Sequence, residues 1–367
     1  MSYQDIERNL FVHVSDLMQW DCRTIESLPK DLRKSLRKRI EQISDDFTAH
    51  RKALLGNYLI DPIDIAAYAM YFHSSSIHRM LHVLERVPAK LSDLPTQLSI
   101  LDVGAGTGAA SEAFLIFLSR MRKKRLPVFH LLDQSSAALA FAKEHLTRTS
   151  LMPIGVKTKT VDVQNIAPIQ QSYDVYLFSN VINELSDLAL GNILKGMKQH
   201  AWIVMVEPAL KETAQKLMQY KSTLTDLGLH IWAPCTHNLV CPMLKNTNDW
   251  CHFEAPWEMG DFRKSMDQAL GHHSEALKYA YLLAGQHKIN EPRKRVLSPK
   301  LKTKIKKVLA MYVCDQKEIG YYYFDKKNRQ MADVQKGDLI QLTQVSDYPE
   351  AQRYYPNTKS YWVKDEV

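Results

Sequence analysis

The sequence predicts an α/β fold: a mostly parallel sheet flanked by helices, entered from a helical N-terminal region and followed by a small β-rich module. Three observations predict it. Short apolar runs recur between residues 97 and 285, and helix-like stretches separate the first of them. The first run, LSILDV, ends on an acid and passes directly into glycines, GAGTG. Upstream of these runs the apolar residues fall at helical spacing, and downstream of residue 292 they fall in short β-branched or aromatic runs split by charged turns. Strands alternating with helices argue for parallel pairing with helices on both faces.

The elements follow in chain order. In KDLRKSLRKRIEQISDDFTAHRKALL, Leu32, Leu36, Ile40, Ile43 and Phe47 lie on one helical face and bases on the other. Asp61-Pro62 reads as an N-cap followed by the first helical residue, and IDIAAYAMYFHSSSIHRMLHVLERV as one or two further helices. Tyr68, Tyr71 and His73 are expected to serve core and helix packing. Strands are expected at LSILDV, VFHLLD (128–133), VKTKTVDV (156–163), YDVYLFS (173–179) and AWIVMVE (201–207), with HIWAP (230–234) sixth and ALKYAYLLAG (276–285) seventh. AASEAFLIFLSRM and SSAALAFAKEHL read as helices between them. KKVLAMYVC, IGYYYFD and KGDLIQLTQV supply the C-terminal β module. The expected division is 1–96 helical, 97–290 the sheet domain with a Cys-rich insertion at 233–275, and 291–367 the basic β-rich module. No internal repeat or low-complexity segment is evident.

The bulk composition bounds the partners. With 367 residues, 45% hydrophobic and 24% charged, the chain can bury a sizeable core. It holds no apolar run of about 18 residues. The start, MSYQDIERNLFVHVSDLMQW, carries Asp5, Glu7 and Asp16, unlike a secretory or transit segment. The expectation is a protein with no membrane span, cytoplasmic if bacterial and in the mitochondrial matrix if eukaryotic. The net charge of +8 favours an anionic partner, nucleic acid first. Nine Lys or Arg and one acid fall between Lys288 and Lys307, and KDLRKSLRKRI holds six bases and one acid. Lys294, Arg295, Lys302, Lys304, Lys306 and Lys307 are expected to contact phosphates. Five cysteines is an odd number, with no secretion signal, so metal binding or catalysis is favoured over a disulfide framework.

LDVGAGTGAAS places Gly104, Gly106 and Gly108 after a strand and before a helix. Glycine permits the tight turn and a close ligand approach, and the helix start offers free N–H groups. Dinucleotide enzymes use GxGxxG to seat a pyrophosphate on that helix. Here the spacing is GxGxG after Asp102, an acid that suits the cationic amino-acid end of S-adenosylmethionine. DVGAGTG resembles motif I of the class I methyltransferases, which implies their Rossmann-like sheet. Asp133, ending the second strand, is placed to accept from ribose hydroxyls, and Asp162, ending the third, to lie at the adenine edge. Methyl transfer needs positioning and an activated nucleophile. No NPPY-type loop follows the fourth strand. SNVINEL stands there, making Asn183 and Glu184 the catalytic candidates. Pro234-Cys235 resembles the catalytic Pro-Cys of cytosine-5 methyltransferases, but two further cysteines nearby favour a ligand role.

Those three, Cys235, Cys241 and Cys251, lie within 17 residues of one another in APCTHNLVCPMLKNTNDWCHF. Cys314, Cys22, His237 and His252 are the available fourth ligands. Thiolates in this number suit zinc or iron–sulfur, and the spacing does not choose between them.

PCTHNLVCPM, DWCHF, LDVGAGTGAASEA, LFSNVINELSD and VEPA together resemble the family of mitochondrial small-ribosomal-subunit methyltransferase-like assembly factors and their bacterial relatives, over residues 60 to 345 or so. The resemblance implies a class I methyltransferase fold, association with the small ribosomal subunit and its rRNA, and a [4Fe–4S] cluster on Cys235, Cys241, Cys251 and Cys314. Zinc is the alternative metal. Cys22 falls outside the matched region and reads as a packed thiol. KGDLI resembles the family's closing segment. LKET follows VEPA where the family favours a Gly-Thr-Pro-like turn, a departure on the substrate side. Four thiolates would saturate a cluster, which argues against radical chemistry and for a structural centre joining the insertion to the C-terminal module. The expected function is a monomeric S-adenosylmethionine-dependent rRNA methyltransferase. The alternative is a non-catalytic rRNA-binding assembly factor that keeps the cofactor fold. A methyltransferase for a small molecule or a protein is disfavoured by the basic C-terminal module.

Overall fold

A computed structural model of the chain describes residues 3–48, 59–87, 94–121, 124–198, 200–235, 237–245, 249–272, 276–288, 294–304, 306–315, 318–324, 331, 333–341, 345–348 and 353–356. The chain divides into two compact units, each built from discontinuous segments. The first comprises Met1–Glu85, Leu94–Lys198 and Ala255–Leu277, and the second Arg86–Asp93, Gln199–Glu254 and Lys278–Val367. Among the described residues no helix is long and apolar enough to cross a membrane.

The first unit opens with helices, as the periodicity predicts: α1 (Tyr3–Leu17), α2 (Lys30–Thr48), α3 (Pro62–Tyr68), a π-helical turn (Ala69–His73) and α4 (Ser74–Leu84). In α2, Leu36, Ile40 and Ile43 are buried while Lys34, Arg37 and Lys38 are exposed, so one stripe serves the core and the opposite face carries the bases. Leu32 is half-buried, and the Phe47 side chain lies outside the described residues. Pro62 starts α3, where its missing N–H costs nothing, and Asp61 before it is extended. Then come β1 (Gln97–Val103), α5 (Ala109–Ser119), β2 (Leu126–Asp133), α6 (Ser136–Thr149), β3 (Gly155–Thr160), β4 (Val175–Ser179) and α7 (Asp187–Leu194). The Ser135 hydroxyl accepts from the Ala138 amide at 3.0 Å and caps α6.

The strands run in the order β3-β2-β1-β4, all parallel. Leu98, Ile100, Leu101 and Val103 of β1 are buried, the continuous apolar run of a strand covered on both faces. The outer strand β3 carries exposed Lys157 and Lys159, charges that discourage edge pairing. The chain steps outward from β1 to β3 and returns to the other side of β1 for β4, which creates a switch point at the carboxyl ends of these strands. One boundary differs from expectation. β3 stops at Thr160, where its partner β2 ends at Asp133, so Asp162 lies beyond the strand and caps a 3-10 turn instead.

The second unit contains β5 (Trp202–Pro208), α8 (Lys211–Asp226), β6 (His230–Ala233) and β8 (Ala276–Gly285), with β8 antiparallel to both β5 and β6. Between β6 and β8 the chain forms a 3-10 turn (Pro242–Lys245) and β7 (Phe253–Pro256), and α9 (Asp261–Leu270), which belongs to the first unit. The β module follows: β9 (Lys294–Val296), β10 (Leu301–Lys302), β11 (Leu309–Cys314), β12 (Ile319–Phe324), β13 (Leu339–Ile340), β14 (Val345–Tyr348) and β15 (Arg353–Pro356). Its sheet runs β13-β9-β11-β12-β15-β14, with β10 pairing β11. Val296, Met311, Val313, Tyr322, Phe324 and Ile340 form its core. The α/β class with a mostly parallel sheet, read from the strand–helix alternation, is the fold the chain adopts.

Candidate functional site

The switch point carries a cleft lined by Leu59, Tyr68, Gly104, Gly106, Asp133, Gln134, Ser135, Asp162 to Gln164, Ser179 to Val181 and Glu184. Its floor is the turn from β1 into α5. Gly104, Gly106 and Gly108 have φ of +66°, +51° and +86°, which side-chain-bearing residues rarely adopt. A Cβ on Gly104 would lie 2.5 Å from Val181 Cγ2. One on Gly106 would meet nothing within 4 Å, so the backbone there faces open space. The loop is tied down by the Ala105 amide donating to the Leu132 carbonyl at 2.9 Å and the Gly106 amide donating to Asp133 at 2.8 Å.

The three acids occupy different positions. Asp133 lines the cleft and accepts from the Gly106 and Ser135 amides, both at 2.8 Å. Burial raises its pKa and the backbone amides oppose the rise. Asp162 is exposed at the rim and accepts from the Gln164 amide at 2.9 Å and from Asn165 Nδ2 at 2.8 Å. Asp102, expected to face the cationic end of a ligand, is instead only 1% exposed, with one oxygen accepting from the Ser111 hydroxyl at 2.6 Å. It secures the first turn of α5 from beneath and acts on the cleft through the loop. Gly108 serves as the N-cap of α5, its α-carbon facing Ala142.

Of the catalytic candidates, Glu184 lines the cleft and Asn183 is half-buried in the adjoining 3-10 turn. Two further lining residues stand outside the candidates read from the sequence. Tyr68, read as packing, reaches the cleft from the end of α3. Asn180 adopts φ +60° at the end of β4 and donates from Nδ2 to Ser76 Oγ at 3.1 Å. Asparagine in SNVINEL carried the only signal for the second. Nothing in an apolar helix marks the first. Tyr71 and His73 are buried, as their reading requires.

A second constellation lies in the second unit. Cys235, Cys241, Cys251 and Cys314 line one cavity with Pro234, Pro242, Met243, Arg295, Leu297 and Ile319. The insertion delivers three thiols and the end of β11 the fourth. Burial first, and then the neighbouring thiols, raise the Cys241 pKa to about 12 and the Cys251 pKa well above its ordinary value. Four soft donors in one cavity form a set that suits zinc or iron–sulfur. Arg295 brings positive charge to the wall. Its Nε donates to the Pro234 carbonyl at 2.7 Å and its Nη1 to the Gly337 carbonyl at 2.6 Å. His237 lies behind, with Nε2 4.0 Å from Cys314 Sγ. His252 instead has Nδ1 3.0 Å from the Trp250 carbonyl, and Cys22 is a buried thiol of the first unit.

The phosphate-contacting set needs correction. Arg295 is 4% exposed and committed to two carbonyls, so its guanidinium is not offered to a phosphate. Lys294 is half-buried, 2.9 Å from the Tyr322 hydroxyl and 3.3 Å from Asp315. Both belong to β9, paired with β11 and β13, and as neighbours in a strand they take opposite faces, Lys294 toward Tyr322 and Arg295 toward the cysteine cavity. Lys302, Lys304, Lys306 and Lys307 are exposed.

Burial raises the Asp102 pKa to about 7, with the Ser111 hydrogen bonds opposing it. Its protonated form is favoured in the folded chain, so its contribution to stability is whole below the ordinary carboxylate value and is lost as pH rises toward 7. Asp102→Asn removes the ionisation and keeps an acceptor for Ser111. In cofactor-free protein the variant should gain on the parent by on the order of 2 kcal/mol between about pH 5 and neutrality, measured by thermal unfolding. A difference that does not change with pH would refute this account of Asp102.

No curated protein matches the chain. A SAM-dependent methyltransferase from Leishmania major is 14% identical, with a TM-score of 0.35, over 69% of this chain and 82% of that one. A SAM-dependent methyltransferase from Aquifex aeolicus is 13% identical, with a TM-score of 0.34, over 57% of this chain and 90% of that one. Overlaps this slight carry no argument about activity. The family described as mitochondrial small ribosomal subunit Rsm22 matches residues 62–347, a span that takes in both the glycine loop and all four cavity cysteines, and the chain belongs to that family.

Proposed function

We propose that this chain is an S-adenosylmethionine-dependent methyltransferase acting on the rRNA of the small ribosomal subunit, with a structural [4Fe–4S] cluster on Cys235, Cys241, Cys251 and Cys314. The observation that carries the reading is the cleft. Open backbone at Gly106, a strand-end carboxylate at Asp133 and a rim carboxylate at Asp162 converge at the switch point of a parallel sheet, where α/β proteins bind nucleotides. The family's description supports the ribosomal assignment and a place in the mitochondrial matrix.

When bound, the cofactor supplies a methyl group on a sulfonium. The chain's part is positioning. The loop amides and Asp133 would hold the nucleoside, and Asp162 would border the base. Glu184, with Asn183 beside it, would orient the acceptor. One observation favours the non-catalytic reading. The described cleft-lining residues include no His, Cys or Lys, so Glu184 is the single lining carboxylate outside the proposed cofactor contacts. Gly104→Ala and Asp133→Ala should each weaken S-adenosylmethionine binding at least tenfold by calorimetry. Labelled methyl transfer to small subunits from cells lacking the protein decides between the readings. Binding without transfer establishes the assembly factor, and no binding by the parent protein overturns both.

That the four thiols line one cavity supports the reading of a shared tetrathiolate centre, zinc being the other occupant. Anaerobically isolated protein should carry iron and acid-labile sulfide with a broad visible absorption band. Cys251→Ser should lose these and unfold several degrees lower, because binding free energy at such a site is folding free energy. Zinc without iron or sulfide would exclude the cluster.

The exposed lysines at the end of β10 and just after it are the proposed phosphate contacts. Replacing Lys302, Lys304, Lys306 and Lys307 by Ala should lower rRNA affinity and flatten its dependence on log salt by roughly 3, in filter binding. An unchanged slope would move the RNA surface elsewhere.

A further inference from the structure

The first unit encloses a polar cluster that the cleft chemistry does not use. His13 comes from α1, His73 ends the π-helical turn, Glu112 lies in the first turn of α5 and His145 in α6. His73 and His145 are 0% exposed and Glu112 is 1% exposed. Nε2 of His73 lies 2.8 Å, and Nε2 of His145 2.9 Å, from the same oxygen, Oε2 of Glu112. The other oxygen, Oε1, is buried with no hydrogen-bond partner among the described residues.

The outer ring nitrogens are held from behind. His73 Nδ1 is 2.9 Å from Thr107 Oγ1, and His145 Nδ1 is 3.2 Å from His13 Nδ1. His13 stacks on Phe141 with ring centroids 4.3 Å apart. Its remaining nitrogen, Nε2, lies 3.6 Å from the Glu144 carboxylate, beyond hydrogen-bond reach. Two imidazole nitrogens from separate elements and a carboxylate oxygen thus converge within 4.8 Å of one another in a buried space, with the second carboxylate oxygen left over.

We propose that His73, Glu112 and His145 form a binding site for a divalent transition-metal ion of the zinc class. Two imidazole nitrogens and a carboxylate are a zinc donor set, and metal-bound histidines regularly give their second nitrogen to a backing group, as Thr107 and His13 provide here. The orphaned Oε1 is available as a further ligand. Glu112 also walls a small depression with Leu115, Ser119, Thr149 and Met152, which supplies an entry path. Thr107 belongs to the glycine loop, so the ion would brace that loop against α1, α5 and α6. The site is independent of the cysteine cavity and of its metal.

The test uses full-length protein isolated anaerobically, with metals counted by mass spectrometry. The parent should retain one equivalent of zinc-class metal that Glu112→Gln and His145→Gln both lose, with iron and sulfide unchanged between parent and variants. Metal-edge X-ray absorption of the equivalent lost should fit nitrogen and oxygen neighbours at about 2.0–2.2 Å with no sulfur. Equal metal content in parent and folded variants overturns the proposal and leaves the cluster a purely hydrogen-bonded one. Where a variant fails to fold, the parent alone decides. An absorption spectrum without a nitrogen/oxygen-bound metal, or an unfolding temperature indifferent to a chelator that leaves the iron in place, overturns it equally.

Discussion

The hydrogen bond from the Gly106 amide to Asp133, 2.8 Å long, is the constraint on which the candidate site depends. It joins the turn after β1 to the end of β2, and it is possible only because three alternate residues of the turn take positive φ. That conformation is costly for any residue with a side chain and nearly free for glycine. The same turn brings Val181, from the loop after β4, against Gly104. One backbone conformation thus sets the spacing of the strand ends that line the cleft.

Beneath the turn, Asp102 and the His73–Glu112–His145 cluster support the floor from within the core. Both are nearly sealed from solvent. Burying charge in a low-dielectric interior is expensive unless it is paired or neutralised, so the placement of such groups directly under the turn marks it as the place where the fold spends stability. Asp102 offsets part of that cost through Ser111, and Glu112 through two imidazoles.

The second unit applies similar physics to sulfur. Four thiols share one cavity, where burial and mutual repulsion oppose the ionisation of Cys241 and Cys251, and Arg295 stands in the wall with its guanidinium fixed by two carbonyls. Arg295 read from sequence as a phosphate contact because it sits in a run of bases. β9 pairs on both sides, however, and that pairing turns it toward the cysteines. The same run presents Lys302, Lys304, Lys306 and Lys307 to solvent. A charge run records composition along the chain. Exposure depends on where each residue of the run falls in the fold and on which neighbours cover it.

What the sequence determined by itself was local. Alternating apolar runs and helical stretches placed β1 to β6, β8 and the helices of the first unit, because periodicity and propensity act over a few residues. GAGTG announced its turn because glycine alone takes that backbone. A cluster of cysteines within 17 residues announced a thiol-rich loop. Tertiary structure decided what depends on distance through space. It withdrew Asp102 from the cleft, ended β3 before Asp162 at the limit of its partner strand, brought Tyr68 to the rim and carried Cys314 to thiols more than 60 residues away. It also closed His73, Glu112 and His145, 39 and 33 residues apart, on one oxygen atom. No spacing rule encodes such meetings, because they arise from helices and strands packing at angles that the local chain does not specify.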